Sequence, residues 1–156
     1  MNELIATIKE ARKKRLLFGE KPLFLRGSPE LIERDLNDIE KDNGFSFPKD
    51  IKTLLVELSP GSIEDLYISN KEMIYPFDDQ AGPIAGYVTF LTDILGNHFA
   101  FNPKGRDPSE IYYISHDPIG FGIVAKDIEE LLASFISNEF DIMEVTDQID
   151  FQELNF

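Results

Sequence analysis

The stretch 87–102, Tyr-Val-Thr-Phe-Leu-Thr-Asp-Ile-Leu-Gly-Asn-His-Phe-Ala-Phe-Asn, constrains the fold more than any other part of this chain. Two runs of period two, 87–92 and 98–102, flank an Asp93-x-x-Gly96-Asn97 turn. Period two sends successive side chains to opposite faces of a strand, and a glycine that accepts positive φ lets the chain reverse between the runs. Val88 and Phe90 then share a face, as do Phe99 and Phe101. A face this apolar has to be covered, and helices elsewhere in the chain are available to cover it.

Those helices are written in a different period. Leu4, Ile5, Ile8 and Ala11 recur at helical spacing, in a stretch expected to end near Phe18-Gly19. Ser28 followed by Pro29 and Glu30 reads as an N-cap with proline at the first helical position. Ile32, Leu36 and Ile39 form its apolar stripe, and Asn43-Gly44 stops it. Pro48 opens the next helix, in which Ile51, Leu54, Leu55 and Leu58 follow one face until Ser59-Pro60-Gly61. From Ile63 the period falls to two, with strands expected at 65–69, 73–75, 87–92, 98–102 and 111–115. Asp78-Asp79, Gly82-Pro83, Gly96-Asn97 and Pro103-Lys104-Gly105 separate them. Asp127, with Glu130 three residues on, forms a capping box ahead of Ile128, Leu131, Leu132, Phe135 and Ile136. Strands joined by short turns without intervening helices pair antiparallel. The expectation is an α+β fold: a mainly antiparallel twisted sheet of about five to six strands, flanked by two to three N-terminal helices and one C-terminal helix. Beyond residue 138, acids mix with Phe140, Ile142, Val145, Ile149, Phe151, Leu154 and Phe156, a tail able to dock on the body or on a partner.

Charge narrows the functional classes. The formal net charge is -14, yet residues 1–26 hold seven basic side chains (Lys9, Arg12, Lys13, Lys14, Arg15, Lys21, Arg26) against Glu3, Glu10 and Glu20, or +4, leaving -18 for the remainder. After Lys126 no Lys or Arg follows, while Asp127, Glu129, Glu130, Glu139, Asp141, Glu144, Asp147, Asp150 and Glu153 do. Such a field repels nucleic acid and attracts a basic surface, although acidity also serves simply to keep a protein soluble. The basic quartet Arg12-Lys13-Lys14-Arg15 has two readings, contact with an anionic partner or pairing with the chain's own acids, and the abundance of those acids favours the second. No window approaches 18 continuous apolar residues, and charges interrupt the N-terminal apolar stretch before a signal region could form, so neither a span nor a secretory signal is expected. The chain has no cysteine, hence no disulfide framework and no thiolate site. Together these point to the cytoplasm.

Catalytic patterns are weak. Ser115-His116-Asp117 contains triad residue types, but neighbours in an extended segment point to opposite faces and cannot relay a proton. The other histidine, His98, reads as a polar strand residue or a core-edge hydrogen-bonder. Asp93 and Asn97 could ligate Ca²⁺, yet the alternating oxygen loop ending in Glu is missing, and an Asx-type turn with Gly96 at positive φ accounts for both. The acid pairs Glu64-Asp65, Asp78-Asp79 and Glu129-Glu130 diverge, unlike carboxylates facing across a sugar-binding cleft. No phosphate loop, zinc spacing or dinucleotide fingerprint is present. The reading is a protein that is not an enzyme, with no cofactor and no metal.

One series of motifs adds to this. An acidic helix ends at Glu40-Lys-Asp-Asn-Gly44; Phe47-Pro48-Lys49-Asp50-Ile51-Lys52 leads into the Leu-rich helix; Phe90-Leu-Thr-Asp-Ile-Leu-Gly-Asn-His-Phe-Ala-Phe101 is a strand, turn and aromatic strand; Ile111-Tyr-Tyr and the Phe135 helix close the series. In this order, over roughly residues 28–138, the chain resembles the SUKH superfamily, which contains the yeast cell-wall assembly regulator and many bacterial toxin-immunity proteins. It departs where relatives often carry Asn-Gly-Gly after the second shared helix: Ser59-Pro60-Gly61 stands there. The length fits a single domain over 1–156, with a basic N-terminal helix at 1–26, the family core at 27–138 and an acidic tail at 139–156. The resemblance implies a binding module without chemistry of its own, most often one that neutralises a toxin, frequently a nuclease; the alternative is a regulatory adaptor in cell-wall or stress signalling.

A nuclease that grips phosphate presents a basic cleft, and an acidic protein can complement the same charges. The expected partner is therefore a basic toxin domain, with no direct nucleic acid or membrane binding. Carboxylates at predicted turns, at a helix start or in the tail are the contact candidates: Asp78, Asp79, Asp117, Glu129, Glu130, Asp141, Glu144 and Asp147. Tyr67, Tyr75, Tyr112 and Tyr113 are possible aromatic anchors, with sheet packing as the commoner fate.

Overall fold

The alternation read at 87–102 belongs to a seven-stranded sheet in which every neighbouring pair is antiparallel and the strand order is the chain order. The structure, a computed structural model, describes residues 1–14, 30–137 and 139–155; for 11–14 it describes the backbone alone. Its elements are α1 (Asn2–Lys14), α2 (Glu33–Asn43), α3 (Lys49–Leu58), β1 (Gly61–Ile63), β2 (Leu66–Ile68), β3 (Val88–Asp93), β4 (His98–Phe101), β5 (Ile111–His116), β6 (Ile119–Ala125), α4 (Ile128–Ile136), the short α5 (Val145–Gln148) and β7 (Gln152–Glu153). The α+β class and the antiparallel sheet stand as expected, with more strands than five or six.

Each face of the sheet has its own core. On one face Val88, Phe90, Phe99, Phe101, Ile111 and Tyr113 pack with Ile5 and Ile8 of α1, Leu36 and Ile39 of α2, the α3 stripe Ile51, Leu54, Leu55 and Leu58, and Ile128, Leu131, Leu132 and Phe135 of α4. The opposite face carries a smaller cluster, Ile84, Tyr87, Ala100, Ile114 and Phe121, covered by a 3-10 segment at Asp79–Ile84. Ala100 lies between Phe99 and Phe101 and points the other way, as the pleat requires. At about 25 cal/mol per Å² of apolar surface, the helix-covered face dominates the stability.

Several expectations change in detail. The proposed cap at Ser28-Pro29 and the end of the first helix near Phe18-Gly19 lie outside the described residues. α2 starts later, at Glu33: Ile32 is the extended N-cap residue, its N–H held by Asp35 Oδ2 at 3.1 Å. That leaves Ile32 55% exposed, and Leu31 takes the buried position instead. No strand forms at 73–75. Asn70 accepts the Met73 N–H and winds Lys71–Met73 into a 3-10 turn; the chain then meets β3 at the Pro76–Val88 bridge, with the Thr89 N–H donating to the Tyr75 carbonyl at 3.1 Å and the Thr89 hydroxyl to the Met73 carbonyl at 2.9 Å, and proline has no N–H to continue a ladder. Three strands were not foreseen. β1 is three residues long, β7 two, and in β6, Ile-Gly-Phe-Gly-Ile-Val-Ala, glycines interrupt the apolar alternation.

Those β6 glycines make room for the tail, which docks on the body. A Cβ on Gly120 would stand 2.4 Å from the Phe151 ring, and one on Gly122 would stand 2.7 Å from the Asp150 carbonyl oxygen. Ile142 and Val145 enter the main core, Leu154 joins the second cluster, and β7 pairs with β6. Phe140 packs between Phe135 and Phe99, with ring centroids at 6.0 and 6.2 Å. Phe156 lies outside the described residues.

Candidate protein-binding surface

The Asp93-Gly96-Asn97 turn is a structural node. Gly96 takes φ +84°, so the chain reverses where Cβ-bearing residues are disfavoured. Asp93 is 1% exposed, and its Oδ1 accepts the N–H groups of Leu95 and Asn97 at 2.9 Å each, an Asx turn. Its Oδ2 accepts the Tyr113 hydroxyl at 2.8 Å and Asn97 Nδ2 at 3.2 Å. Asn97 Nδ2 also donates to Tyr113 Oη at 2.6 Å, and its Oδ1 accepts the His116 N–H at 3.1 Å. His116 Nδ1, at 2.7 Å from the same oxygen, donates to it in the Nδ1–H tautomer. The turn thereby locks β3–β4 to β5, and these polar groups are consumed by the fold.

This also decides the fate of the aromatic and histidine candidates. Tyr113 is 2% exposed and cannot anchor a partner; burial, and then the Asp93 carboxylate beside it, push its hydroxyl well above the ordinary phenol value. Tyr112 is half-buried against Tyr87, centroids 4.8 Å apart, and burial followed by Tyr87 and Glu110 raises it likewise. Tyr67 is half-buried in β2, and Tyr75 is exposed, its ring edge-on to Phe77. His98 packs against Phe77, and burial lowers its pKa, with Asp93 opposing and His116 adding to the drop. Ser115 is buried while the His116 ring is engaged by Asn97, so Ser115-His116-Asp117 does not assemble a triad. Among the described residues no three His, Asp or Glu side chains converge on a metal position. No described helix is long and apolar enough to cross a membrane.

All eight carboxylates singled out in the sequence are exposed, but the fold disperses them. Asp78 and Asp79 stand on the small-cluster face, where Asp78 Oδ1 caps the 3-10 segment through the Gln80 N–H at 2.9 Å. Glu129 and Glu130 sit at the start of α4. Glu129 lies 2.9 Å from the Met1 amino group, and Glu130 accepts the Lys126 N–H at 2.7 Å. Asp127 Oδ1 accepts the Glu130 N–H at 2.8 Å, as the capping box requires. Asp141, Glu144 and Asp147 lie past the other end of α4, which a nine-residue helix places about 13 Å away.

That other end is also where the β1–β2, β3–β4 and β5–β6 turns meet, because Leu66 pairs with Asp93 and His98 with Ile114. The Ile94 N–H donates to the Asp65 carbonyl at 3.1 Å and ties two of these turns together. Between them, the end of α4 and the tail opens a cleft of about 410 Å³. Phe135, Phe140 and Ile142 form its floor; Ile94 and Met143 are its apolar walls, and Glu64, Asp65 and Asp141 its polar margin. Ile94 is 46% exposed, the adjoining Leu95 41% and Met143 70%. The segments 61–70, 93–98, 114–120 and 135–148 that build this end contain no Lys or Arg. Sequence reasoning weighed Glu64-Asp65 only as a divergent acid pair and passed over Ile94 and Met143. The available signal was two adjacent aliphatic residues, Ile94-Leu95, inside a turn otherwise made of Asp, Gly and Asn.

A larger depression, about 770 Å³, lies beside α2 and the 44–48 loop, but its Glu40 and Asn37 are already engaged. Glu40 accepts the Phe47 N–H at 2.9 Å and pairs with Lys52 at 3.2 Å, and Asn37 accepts from Lys52 at 2.7 Å. The turn-end cleft keeps its carboxylates free of ion pairs among the described residues.

The SMI1 / KNR4 family (SUKH-1) matches residues 31–134, from the start of α2 through most of α4, including every strand but β7. The chain belongs to the SMI1 / KNR4 family (SUKH-1). Members of SUKH-1 are generally non-enzymatic proteins that bind protein partners such as toxins, in immunity or regulatory roles. The match ends short of the tail, so the chain reaches beyond the matched region on the side where the cleft is completed. Comparison with curated proteins and with solved structures gives no match.

Proposed function

We propose that this protein is an immunity protein that binds a basic toxin domain, of nuclease type, in the cytoplasm and blocks it by occupying the surface the toxin uses. The observation that carries this reading is the one-signed turn end: Glu64, Asp65, Asp117, Glu139, Asp141, Glu144 and Asp147 are exposed on segments without a single Lys or Arg. A cleft shaped to hold phosphate is positive, and a surface of this sign complements it. Such complementarity raises association rates toward ~10⁸ M⁻¹s⁻¹ at low salt. Family membership supports a role in binding rather than in chemistry.

Co-expression with the product of the adjacent gene tests the proposal, scored by host survival and by co-purification of a complex. Survival together with a salt-sensitive complex supports it. A harmless neighbour that never binds defeats it, and then the regulatory-adaptor role of the same family becomes the better reading.

A further inference from the structure

The acids alone do not say where a partner would seat, since eight of them are spread over both faces of the sheet and both ends of α4. The apolar groups do. Ile94 and Met143 are exposed beside a floor of Phe135, Phe140 and Ile142, whereas neither Glu129-Glu130 nor Asp78-Asp79 lines either of the clefts described above. Interfaces gain most of their affinity from an anchor that fills a pocket at the centre, while charges at the rim contribute steering and register. The turn-end cleft has both parts in that arrangement.

Resting on the immunity reading, we propose that this cleft is the docking site and that it receives one aliphatic or aromatic side chain of the partner, carried between lysines or arginines. Charge complementarity selects this occupant. The rim is acidic throughout, so a flanking Lys or Arg meets Glu64 and Asp65 on one side and Asp141 on the other. A second copy of this chain would bring the same acids to the same rim and be repelled. The walls are adaptable: Met143 is unbranched and almost wholly exposed, which suits a pocket that closes around an incoming group. Glu129 and Glu130, the most conspicuous acid pair in the sequence, stand outside the contact.

The test uses the full chain, isotopically labelled, titrated with a short amidated peptide carrying one Phe between Lys-Arg and Arg-Lys. Two control peptides replace the Phe by Ala or all the basic residues by Gln. The expected result is amide shifts centred on Ile94, Leu95, Phe140 and Met143, with each control binding about tenfold more weakly. Met143→Glu and Ile94→Ser should abolish the shifts; Met143 contributes nothing to the core, so that variant keeps its fold even if Ile94→Ser does not. Equal shifts at Asp78-Asp79 or Glu129-Glu130, or undiminished binding of the Ala control, would overturn the proposal. So would a dimer of the peptide-free protein that Met143→Glu dissociates, which would assign the cleft to a second copy. Co-expression separates the two readings. Rescue that survives Met143→Glu but not Glu129→Lys leaves the immunity role standing and removes the cleft. Peptide seated in the cleft without neutralisation of any neighbouring toxin leaves the cleft and removes the role.

Discussion

Carboxylates on the α2–α3 side of the molecule and those at the turn end of the sheet have opposite fates. On the first side Asp35 meets Lys71 at 3.2 Å, Glu40 meets Lys52 at 3.2 Å and Glu57 pairs with Lys9. The Ile32 N–H and then Lys71 hold the Asp35 carboxyl below its ordinary range. At the turn end Glu64, Asp65, Asp141 and Glu144 are exposed and make no ion pair among the described residues, while Asp93, next to the cleft wall residue Ile94, is sunk into the turn and fully satisfied. The fold spends some acids on its own connections and leaves others to the solvent. Position within the fold, and not the number of acids, tells the two kinds apart.

Substitutions can break that distinction, and Asp93 should break it hardest. Asp93→Ala strips four donors of their acceptor, among them the buried Tyr113 hydroxyl, and each unsatisfied buried group costs about 1–3 kcal/mol. A loss of about 3 kcal/mol or more in urea unfolding is expected; a change below about 1 kcal/mol would mean the network is dispensable. Next comes Gly122→Ala, which pushes the tail off β6 because its methyl would sit 2.7 Å from the Asp150 carbonyl. Overpacking of this kind costs about 1–3 kcal/mol, and hydrogen exchange should show 149–154 losing protection before the rest of the sheet.

Smaller effects sharpen the comparison. Lys52→Ala removes the Glu40 pair and the Asn37 bond, partly exposed contacts that together should cost no more than about 1 kcal/mol. For His98, burial disfavours the imidazolium, so below pH 6.5 the unfolded chain takes up a proton that the folded chain resists. Stability therefore falls as pH drops through 6.5 toward the lowered native value. His98→Gln should flatten that part of the profile, and a native His98 midpoint at or above 6.5 by NMR would refute the assignment. The least effect belongs to the cleft rim: Glu64→Gln, Asp65→Asn and Asp141→Asn together should leave thermal stability within about 0.5 kcal/mol, while weakening association with a basic partner. A large destabilisation there would mean the rim serves the fold after all.

What could be read from the sequence was local. The Asx turn at Asp93-Gly96-Asn97, the α3 stripe from Ile51 to Leu58 and the Asp127 cap each involve residues close together in the chain, and all three are present. Contacts that span the chain could not be read in this way. Tyr113 reaches Asp93 across 20 residues, which turns a possible anchor into a buried strut. β6 went unseen because Gly120 and Gly122 answer to Phe151 and Asp150, thirty residues on, and the glycines erase the alternation that marks a strand. The cleft draws on 64–65, 94, 135 and 140–143 at once, so Glu64-Asp65 looked like an ordinary divergent pair while Glu129-Glu130, adjacent and conspicuous at a helix start, drew notice although they do not line it.

β7 has a consequence out of proportion to its length. Without it the Gly120–Phe121 part of β6 would be an outermost edge with bare N–H and C=O groups, an invitation for a foreign strand to extend the sheet. Gln152 and Glu153 pair with Phe121 and Gly120 there and place a negative charge on the outer side. A clipped chain ending before residue 150 should accordingly be more inclined to form fibres than to unfold quietly, and proteolysis of the tail would leave a chain able to seed others.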